Sequence, residues 1–267
     1  MLIAQISDIH IVKMGGKTLG VAPMEANLKQ VVGHINQLVP RPDLVLVTGD
    51  ITDHGTKDEA VNAAQLLGQL NCPFYVIPGN HDDRNVLWAE FGGSACPIRS
   101  SNFINYVIDE HEVRLIGMDS TIENAQGGEL CAERLAWLEE ILAAEPDHPT
   151  LIFMHHPPVK CGVIESDLDG FLGADAFGAI VEDYSCIERI VCGHIHLPTF
   201  ARFHGTIVST APSIGIRLGL DLTMKKESEF FLDAPGYQLH HWTRYNNLIT
   251  HTISLNDAEG PFAYEEH

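Results

Sequence analysis

Asp8 and His10, Asp50, Asn80, His155, and the pair His194 and His196 are oxygen and nitrogen donors that recur at five places along the chain. Each place ends an apolar run. Leu2 to Ile6 leads into Asp8-Ile9-His10, Leu44 to Val47 into Gly49-Asp50, and Phe74 to Ile77 into Gly79-Asn80-His81-Asp82. Thr150 to Met154 leads into His155-His156, and Ile187 to Val191 into Gly193-His194-Ile195-His196. The chain has fifteen histidines, so an isolated one says little; donors placed repeatedly at the ends of buried strands say more. Such a set can hold two divalent metal ions. Asp50, following a glycine and placed between the two pairs, is the carboxylate suited to bridge cations about 3.5–4 Å apart. Mixed nitrogen and oxygen donors favour Fe, Mn, Co or Zn over Ca or Mg.

The elements that must position these donors read as alternating strands and helices. Helical spacing predicts a helix after Pro23, through Leu28, Val31, Val32, Ile35 and Leu38, and a second over 57–70 with Ala60, Ala64 and Leu67 on one stripe. Asp43 to Thr48 is almost wholly apolar, as suits a strand buried on both faces. Strand–helix alternation predicts a largely parallel sheet, in which ligands gather outside the carboxyl ends of the strands. Further on, 103–108 and 113–118 read as a hairpin and 132–142 as an amphipathic helix. Runs at 150–154, 187–191, 206–209, 238–242 and 248–253 read as strands, the later ones partly antiparallel. In an extended segment, residues two apart point the same way, so Asp8 with His10, and His194 with His196, are expected to deliver two donors each to one region.

A chain of 267 residues, 45% apolar, is expected to form a single domain over 1–267. No run of eighteen apolar residues predicts a membrane span, and the N-terminus lacks the features of a signal peptide, so a cytoplasmic protein is expected. The six cysteines form no Cys-x-x-Cys pair and read as buried apolar residues. A net charge of −20 argues against a nucleic-acid polymer as partner. It leaves small anionic substrates open, because two divalent ions reverse the local field. The pattern is weakest over 216–235, and 213–246 is expected to be a cap or an oligomer contact, with an exposed loop as the alternative. Arg217 reads as a surface residue, with an anionic substrate as its other use. The aromatic run Tyr237 to Tyr245 is a candidate subunit contact.

The ordered set Asp-x-His, Gly-Asp, Gly-Asn-His-Asp, His-His-Pro-Pro and Gly-His-x-His, spanning residues 8 to 196, resembles the calcineurin-like metallophosphoesterase superfamily. Val76 to Asp83 and Phe153 to Pro158 most resemble the branch of class III cyclic-nucleotide phosphodiesterases and bacterial glycerophosphodiesterases. The resemblance implies an α/β fold, a four-layer αββα sandwich of two mixed sheets flanked by helices. It implies that Asp8, His10 and His196 hold one metal, that Asn80, His155 and His194 hold the other, and that Asp50 bridges them. His81 is then the histidine near the leaving group, orienting phosphate or supplying a proton, so that His81, Asp50 and Asn80 carry the catalytic roles. His156 is expected to pack behind the donors. Asn80, a neutral amide, is expected to hold its metal weakly. The implied activity is hydrolysis of small organic phosphodiesters, glycerophosphodiesters or 3',5'-cyclic nucleotides, by in-line attack of hydroxide on phosphorus. The implied assembly is a homo-oligomer. The alternatives are a phosphomonoesterase on the same metals, a nuclease, or a non-catalytic scaffold.

Overall fold

The structure, a computed structural model, describes residues 1–97, 102–245 and 247–256. The single-domain expectation for 1–267 and the segment 213–246 both reach residues outside that set. In chain order the elements are β1 (Leu2–Ile6), α1 (Met24–Gln37), β2 (Leu44–Thr48), α2 (Lys57–Leu67), β3 (Phe74–Ile77), α3 (Arg84–Phe91), β4 (Tyr106–Ile108) and β5 (Arg114–Met118). They continue with β6 (Gly128–Glu129), α4 (Ala132–Ala144), β7 (Thr150–Met154), α5 (Ile164–Asp169), β8 (Phe171–Leu172), α6 (Ala174–Asp183) and β9 (Ile187–Cys192). The last six are β10 (Thr199–Phe203), β11 (Thr206–Thr210), β12 (Ile216–Leu218), β13 (Phe230–Leu232), β14 (Gly236–Trp242) and β15 (Leu248–Ser254).

Two mixed sheets form the sandwich. The first has the order β15-β14-β1-β2-β3 and the second β10-β11-β9-β7-β5-β4. Within them β1, β2 and β3 run parallel, as do β5, β7, β9 and β11, while β14, β15, β10 and β4 join antiparallel. Every residue of β2, β5 and β7 is buried, because each of these strands has covered faces on both sides. Contacts β2–β7 and β3–β5 join the sheets, and the helices touch one another in the pairs α1–α2, α2–α3 and α4–α6. Local signals fix the helix ends. Thr56 and Glu59 form a capping box on α2, and the Asp83 carboxylate accepts from the Asn85 and Val86 amides to start α3.

A buried polar network ties the sheets together. Gln5 Nε2 on β1 donates to Thr48 Oγ1 and to the Cys192 carbonyl on the opposite sheet, both at 2.9 Å. Gln5 Oε1 accepts from His240 Nε2 at 3.0 Å, and Gln238 Nε2 donates to the Thr210 carbonyl at 2.9 Å. These bonds offset the burial of Gln5 and His240, whereas Gln238 Oε1 is buried without a partner among the described residues.

Several expectations need correction. Helix α2 stops at Leu67, with Gly68 as its C-cap, and not at Leu70. Strand β4 begins at Tyr106; Phe103 instead lies under the guanidinium of Arg134, 4.3 Å from its ring centre. No element was expected at α3, α5, α6 or β10. Among the described residues of 213–246, the antiparallel ribbon β12–β13 stands apart, whereas β14 pairs with β1 inside the first sheet. Accordingly Tyr237 and Trp242 are core residues, the Tyr237 hydroxyl meeting His34 Nδ1 at 2.9 Å, and only Tyr245 of that aromatic run is well exposed.

Candidate metal centre

The donors cap parallel strands. Asp8 and His10 follow β1, Asp50 follows β2, Asn80 follows β3, His155 follows β7, and His194 and His196 follow β9. Strands that run the same way end at the same edge, so one edge of the sandwich collects donors from both sheets. The backbone there is not extended. Asp8, His10, Asp50, His194 and His196 all have positive φ, at 52°, 40°, 50°, 70° and 55°. Non-glycine residues adopt this left-handed conformation rarely and at a cost, and such strain concentrates at functional sites. Of the two pairs expected to share one direction, Asp8 and His10 stay together and only His194 and His196 part. His196 joins Asp8, His10 and Asp50, whereas His194 gathers with His155 and His156.

Glycines make the close approach possible. Gly49 has φ of 88°, and a Cβ there would overlap the His155 ring. A Cβ on Gly193 would overlap the Ser7 hydroxyl and crowd the Asp8 carboxylate. Behind these turns, the half-buried Asp82 carboxylate accepts from the Ile51, Thr52 and Gly79 amides at 3.1, 2.8 and 2.9 Å. It clasps the loop after β2 to the loop after β3. His194 N donates to Asp8 Oδ1 at 2.9 Å and His81 N to Asp50 Oδ1 at 2.9 Å, orienting both carboxylates.

The ring nitrogens are divided in the same manner. His155 Nδ1 donates to the Thr48 carbonyl at 2.7 Å and His196 Nδ1 to the Ile216 carbonyl at 2.9 Å, so each Nε2 presents a lone pair. His196 Nε2 lies 3.4 Å from Asp8 Oδ1 and 3.2 Å from His10 Nε2. His155 Nε2 lies 3.1 Å from Asn80 Oδ1 and 3.3 Å from Asp50 Oδ2. Asp50 Oδ2 is also 3.5 Å from His10 Nε2, which puts this oxygen between the two groups. Among the described residues no Lys or Arg pairs with Asp8 or Asp50. Two buried carboxylates and converging ring nitrogens, given backbone amides but no cationic side chain, favour positive charge among them. The donor set therefore fits two divalent cations.

The electrostatics agree. Burial opposes charge on His155, but Asp50 and then Asp8 draw its pKa up to about 9, so a proton or a metal ion is held there. Burial, with His155 beside one and His10 beside the other, pushes His194 and His196 down to about 3 and leaves them neutral. Against its burial, Asp50 is held well below the carboxylate range, chiefly by His155. His156 lies near His155 and His194, yet both its ring nitrogens are occupied, Nδ1 by Ser120 Oγ at 2.8 Å and Nε2 by the Gln126 carbonyl at 3.1 Å.

His81 stands beside the donors, its ring centre 4.7 Å from that of His10 and within reach of Asp53. Its Nδ1 donates to the Asp53 carbonyl at 2.8 Å, and with Asn80 it lines a cavity of about 710 Å³ shared with Arg84, Phe103, Asn124 and Glu129. Arg217 does not reach this cavity; its Nε is 2.8 Å from Asp233 Oδ2 and its guanidinium covers Phe231. The sequence reading gave no part to Asp53, Asp82 or Gln126. Gln126 Oε1 accepts from Asn80 Nδ2 at 2.7 Å and thereby fixes which amide atom faces His155. Asp82 stands inside the quoted Gly-Asn-His-Asp run, which is the one signal that marks any of the three.

A two-sheet sandwich that gathers a carboxylate- and histidine-rich centre at one strand edge defines a metal-dependent phosphoric ester hydrolase. The chain belongs to the calcineurin-like phosphoesterase family, whose sequence model matches residues 1–198. It is 37% identical over 265 residues to a protein of Arcobacter nitrofigilis named probable glycerophosphodiester phosphodiesterase GpdQ, covering 99% of this chain and 97% of that one. Over 250 residues it is 28% identical to the 3',5'-cyclic adenosine monophosphate phosphodiesterase CpdA of Pseudomonas aeruginosa, with 92% and 86% covered. A dimetal phosphatase from Danio rerio shares the fold at a TM-score of 0.64 and 15% identity, with 96% and 99% covered.

Proposed function

We propose that this chain is a dinuclear-metal phosphodiesterase acting on small organic diesters, with glycerophosphodiesters ahead of 3',5'-cyclic nucleotides. The observation that carries the reading is the place of Asp50 Oδ2, 3.3 Å from His155 Nε2 and 3.5 Å from His10 Nε2. In this reading Asp8, His10 and His196 hold one metal, Asn80, His155 and His194 the other, and Asp50 both. When bound, two divalent ions lower the pKa of a water and offset the negative charge of the phosphoryl group. His81 donates Nδ1–H to the Asp53 carbonyl, and as the imidazolium it would carry a second proton on Nε2 for the phosphate or the departing alkoxide, returning to the neutral ring once that proton is given up. The nitrogen and oxygen donor set favours Fe, Mn, Zn or Co. The 37% identity to a glycerophosphodiesterase-named relative, against 28% to CpdA, supports the order of substrates. The cavity is of the size that takes a small ligand.

The same reading takes the enzyme as cytoplasmic, in keeping with its six free cysteines. It takes the assembly as a homo-oligomer, in keeping with Leu222 and Leu232 exposed on and beside the β12–β13 ribbon. Among the described residues no helix is long and apolar enough to cross a membrane.

The test compares bis(p-nitrophenyl) phosphate with p-nitrophenyl phosphate, using metal-stripped protein with and without Mn²⁺. Faster Mn²⁺-dependent cleavage of the diester, reduced at least about a thousandfold in Asp50→Ala, is the expected result. Preference for the monoester would replace the reading with a phosphomonoesterase, and turnover of neither would favour a non-catalytic scaffold.

A further inference from the structure

His54 shares the cavity wall with Asn80 and His81, and its side chain is 67% exposed. Exposed histidines are ordinarily loose, but this ring is held. The capping box of α2 needs one bond from Glu59, to the Thr56 amide at 3.3 Å. The buried Glu59 carboxylate makes two more, both with His54: it accepts from the His54 amide and from His54 Nδ1, each at 2.9 Å. Asp53 Oδ2 stands 3.5 Å from the same ring nitrogen. The following residue packs the loop against the turn after β3. Gly55 has φ of 67°, its amide donates to Thr52 Oγ1 at 3.1 Å, and a Cβ there would crowd the Asp83 amide and the His81 carbonyl. His54 is thus fixed beside the His81 turn, with Nδ1 committed to carboxylates and Nε2 left for a ligand.

The charges around the cavity narrow what that ligand is. Asp82, Asp83, Glu123 and Glu129 line it against Arg84 and Arg134, and both guanidiniums are already paired, with Asp119 and Glu129. A second anionic group on the substrate would meet these carboxylates. A cationic group would meet His54, whose pKa is raised above the ordinary histidine value by the hydrogen bond to Glu59, with Asp53 adding to it. A hydroxyl suits either state of the ring, because it accepts from Nε2–H of the imidazolium and donates to the Nε2 lone pair of the neutral imidazole. Resting on the phosphodiesterase reading above, we infer that His54 is a specificity-determining residue whose Nε2 hydrogen-bonds a hydroxyl on the alcohol arm of the substrate. It selects diesters of a polyol such as glycerol over those of a plain alkyl or aryl alcohol.

Steady-state kinetics of Mn²⁺-loaded wild type, His54→Ala and His54→Gln test this on two diesters. One is the symmetric diester of two glycerols, in which either arm presents hydroxyls; the other is bis(p-nitrophenyl) phosphate, which has none. In His54→Ala, kcat/KM for the glycerol diester is expected to fall about tenfold, mostly through KM, because the contact lies away from the reacting atoms. For bis(p-nitrophenyl) phosphate the change stays within about twofold. His54→Gln, whose amide both donates and accepts, returns to within about threefold of wild type on the glycerol diester. Calorimetry gives the comparison without turnover: glycerol 3-phosphate should bind His54→Ala about tenfold more weakly than wild type, and propyl phosphate should bind the two alike. Equal losses on both diesters, with a fall in Tm, would mean that the ring only braces its loop and would overturn the inference. No loss on either would overturn it and leave the phosphodiesterase reading standing; no Mn²⁺-dependent turnover by wild type would overturn both.

Discussion

His155 and Asp50 stand on opposite sheets, and Nε2 of one lies 3.3 Å from Oδ2 of the other. Both follow strands, β7 and β2, that touch across the sandwich. Ions held between them would join the sheets at one edge, so removing metal should loosen the fold as well as abolish activity. At a free metal concentration of 100 times Kd, one site contributes about 2.7 kcal/mol, or roughly 5–10 °C in Tm for a chain of this size. Calorimetric scans before and after chelation should show a fall of that order, reversed by Mn²⁺. An unchanged Tm would mean that the acceptors are not joined by metal.

His81 should separate leaving groups. A departing alkoxide needs a proton, whereas p-nitrophenolate leaves without one. His81→Ala is therefore expected to keep two bound metals and to lose about 10²–10⁴ in kcat on a glycerophosphodiester. The loss on bis(p-nitrophenyl) phosphate should stay below about tenfold. Equal losses on the two substrates would assign His81 to phosphate orientation alone.

Two glycines with similar backbone angles should respond differently to a methyl group. Gly15, at φ of 75°, faces open space, and Gly15→Ala should cost only the left-handed backbone penalty, about 1 kcal/mol. Gly49, at 88°, lies against the His155 ring. Gly49→Ala should cost at least about 2 kcal/mol more and weaken Mn²⁺ binding, measured by urea unfolding and calorimetry. Similar costs at the two positions would show that the ring can move aside.

His240 gives the fold a pH dependence remote from the metals. It is fully buried between Gln5 and Thr250, and burial, aided by Arg189, pushes its pKa down to about 3. The unfolded chain, with histidine near 6.5, binds the proton more readily between those values. Stability from this residue is therefore complete above 6.5 and declines as pH falls toward 3, by up to 1.36 kcal/mol per unit. Between pH 6.5 and 5 the loss is about 2 kcal/mol. The unfolding free energy of stripped wild type should show this decline, and His240→Gln should lack that part of it; parallel curves would refute the assignment.

The donor clusters and the strands beneath them were legible because a buried parallel strand is written as a short apolar run, and each run here ends at a donor. The crossover helices α1 and α2 were legible from their periodicity. What escaped were features set by tertiary contact. Helix α3 is eight residues long and begins where a motif ends, so its Asp83 cap drew no notice as a helix start. Phe103 looks like strand and is drawn instead to two guanidiniums. β14 sits far down the chain but pairs with β1, a partner that no local pattern names. For the site, residue types and spacing pointed to Asp8, His10 and Asp50, but the left-handed backbone at each could not be read from them. Nor could Asp53, because Thr52-Asp53-His54 has the composition of an ordinary loop.

The split of donors between two sheets also sets an order of events during synthesis. Asp8, His10, Asp50 and Asn80 leave the ribosome first, and roughly a hundred residues, about ten seconds of elongation, pass before His196 follows. No complete cage for either ion exists on the nascent chain. In the dinuclear reading the sandwich would close on Gln5, Gln238 and His240, which bond across and within the sheets, and the ions would be fully enclosed only afterwards. Maturation is then a chemical step in its own right, governed by which cation the cell supplies when folding ends.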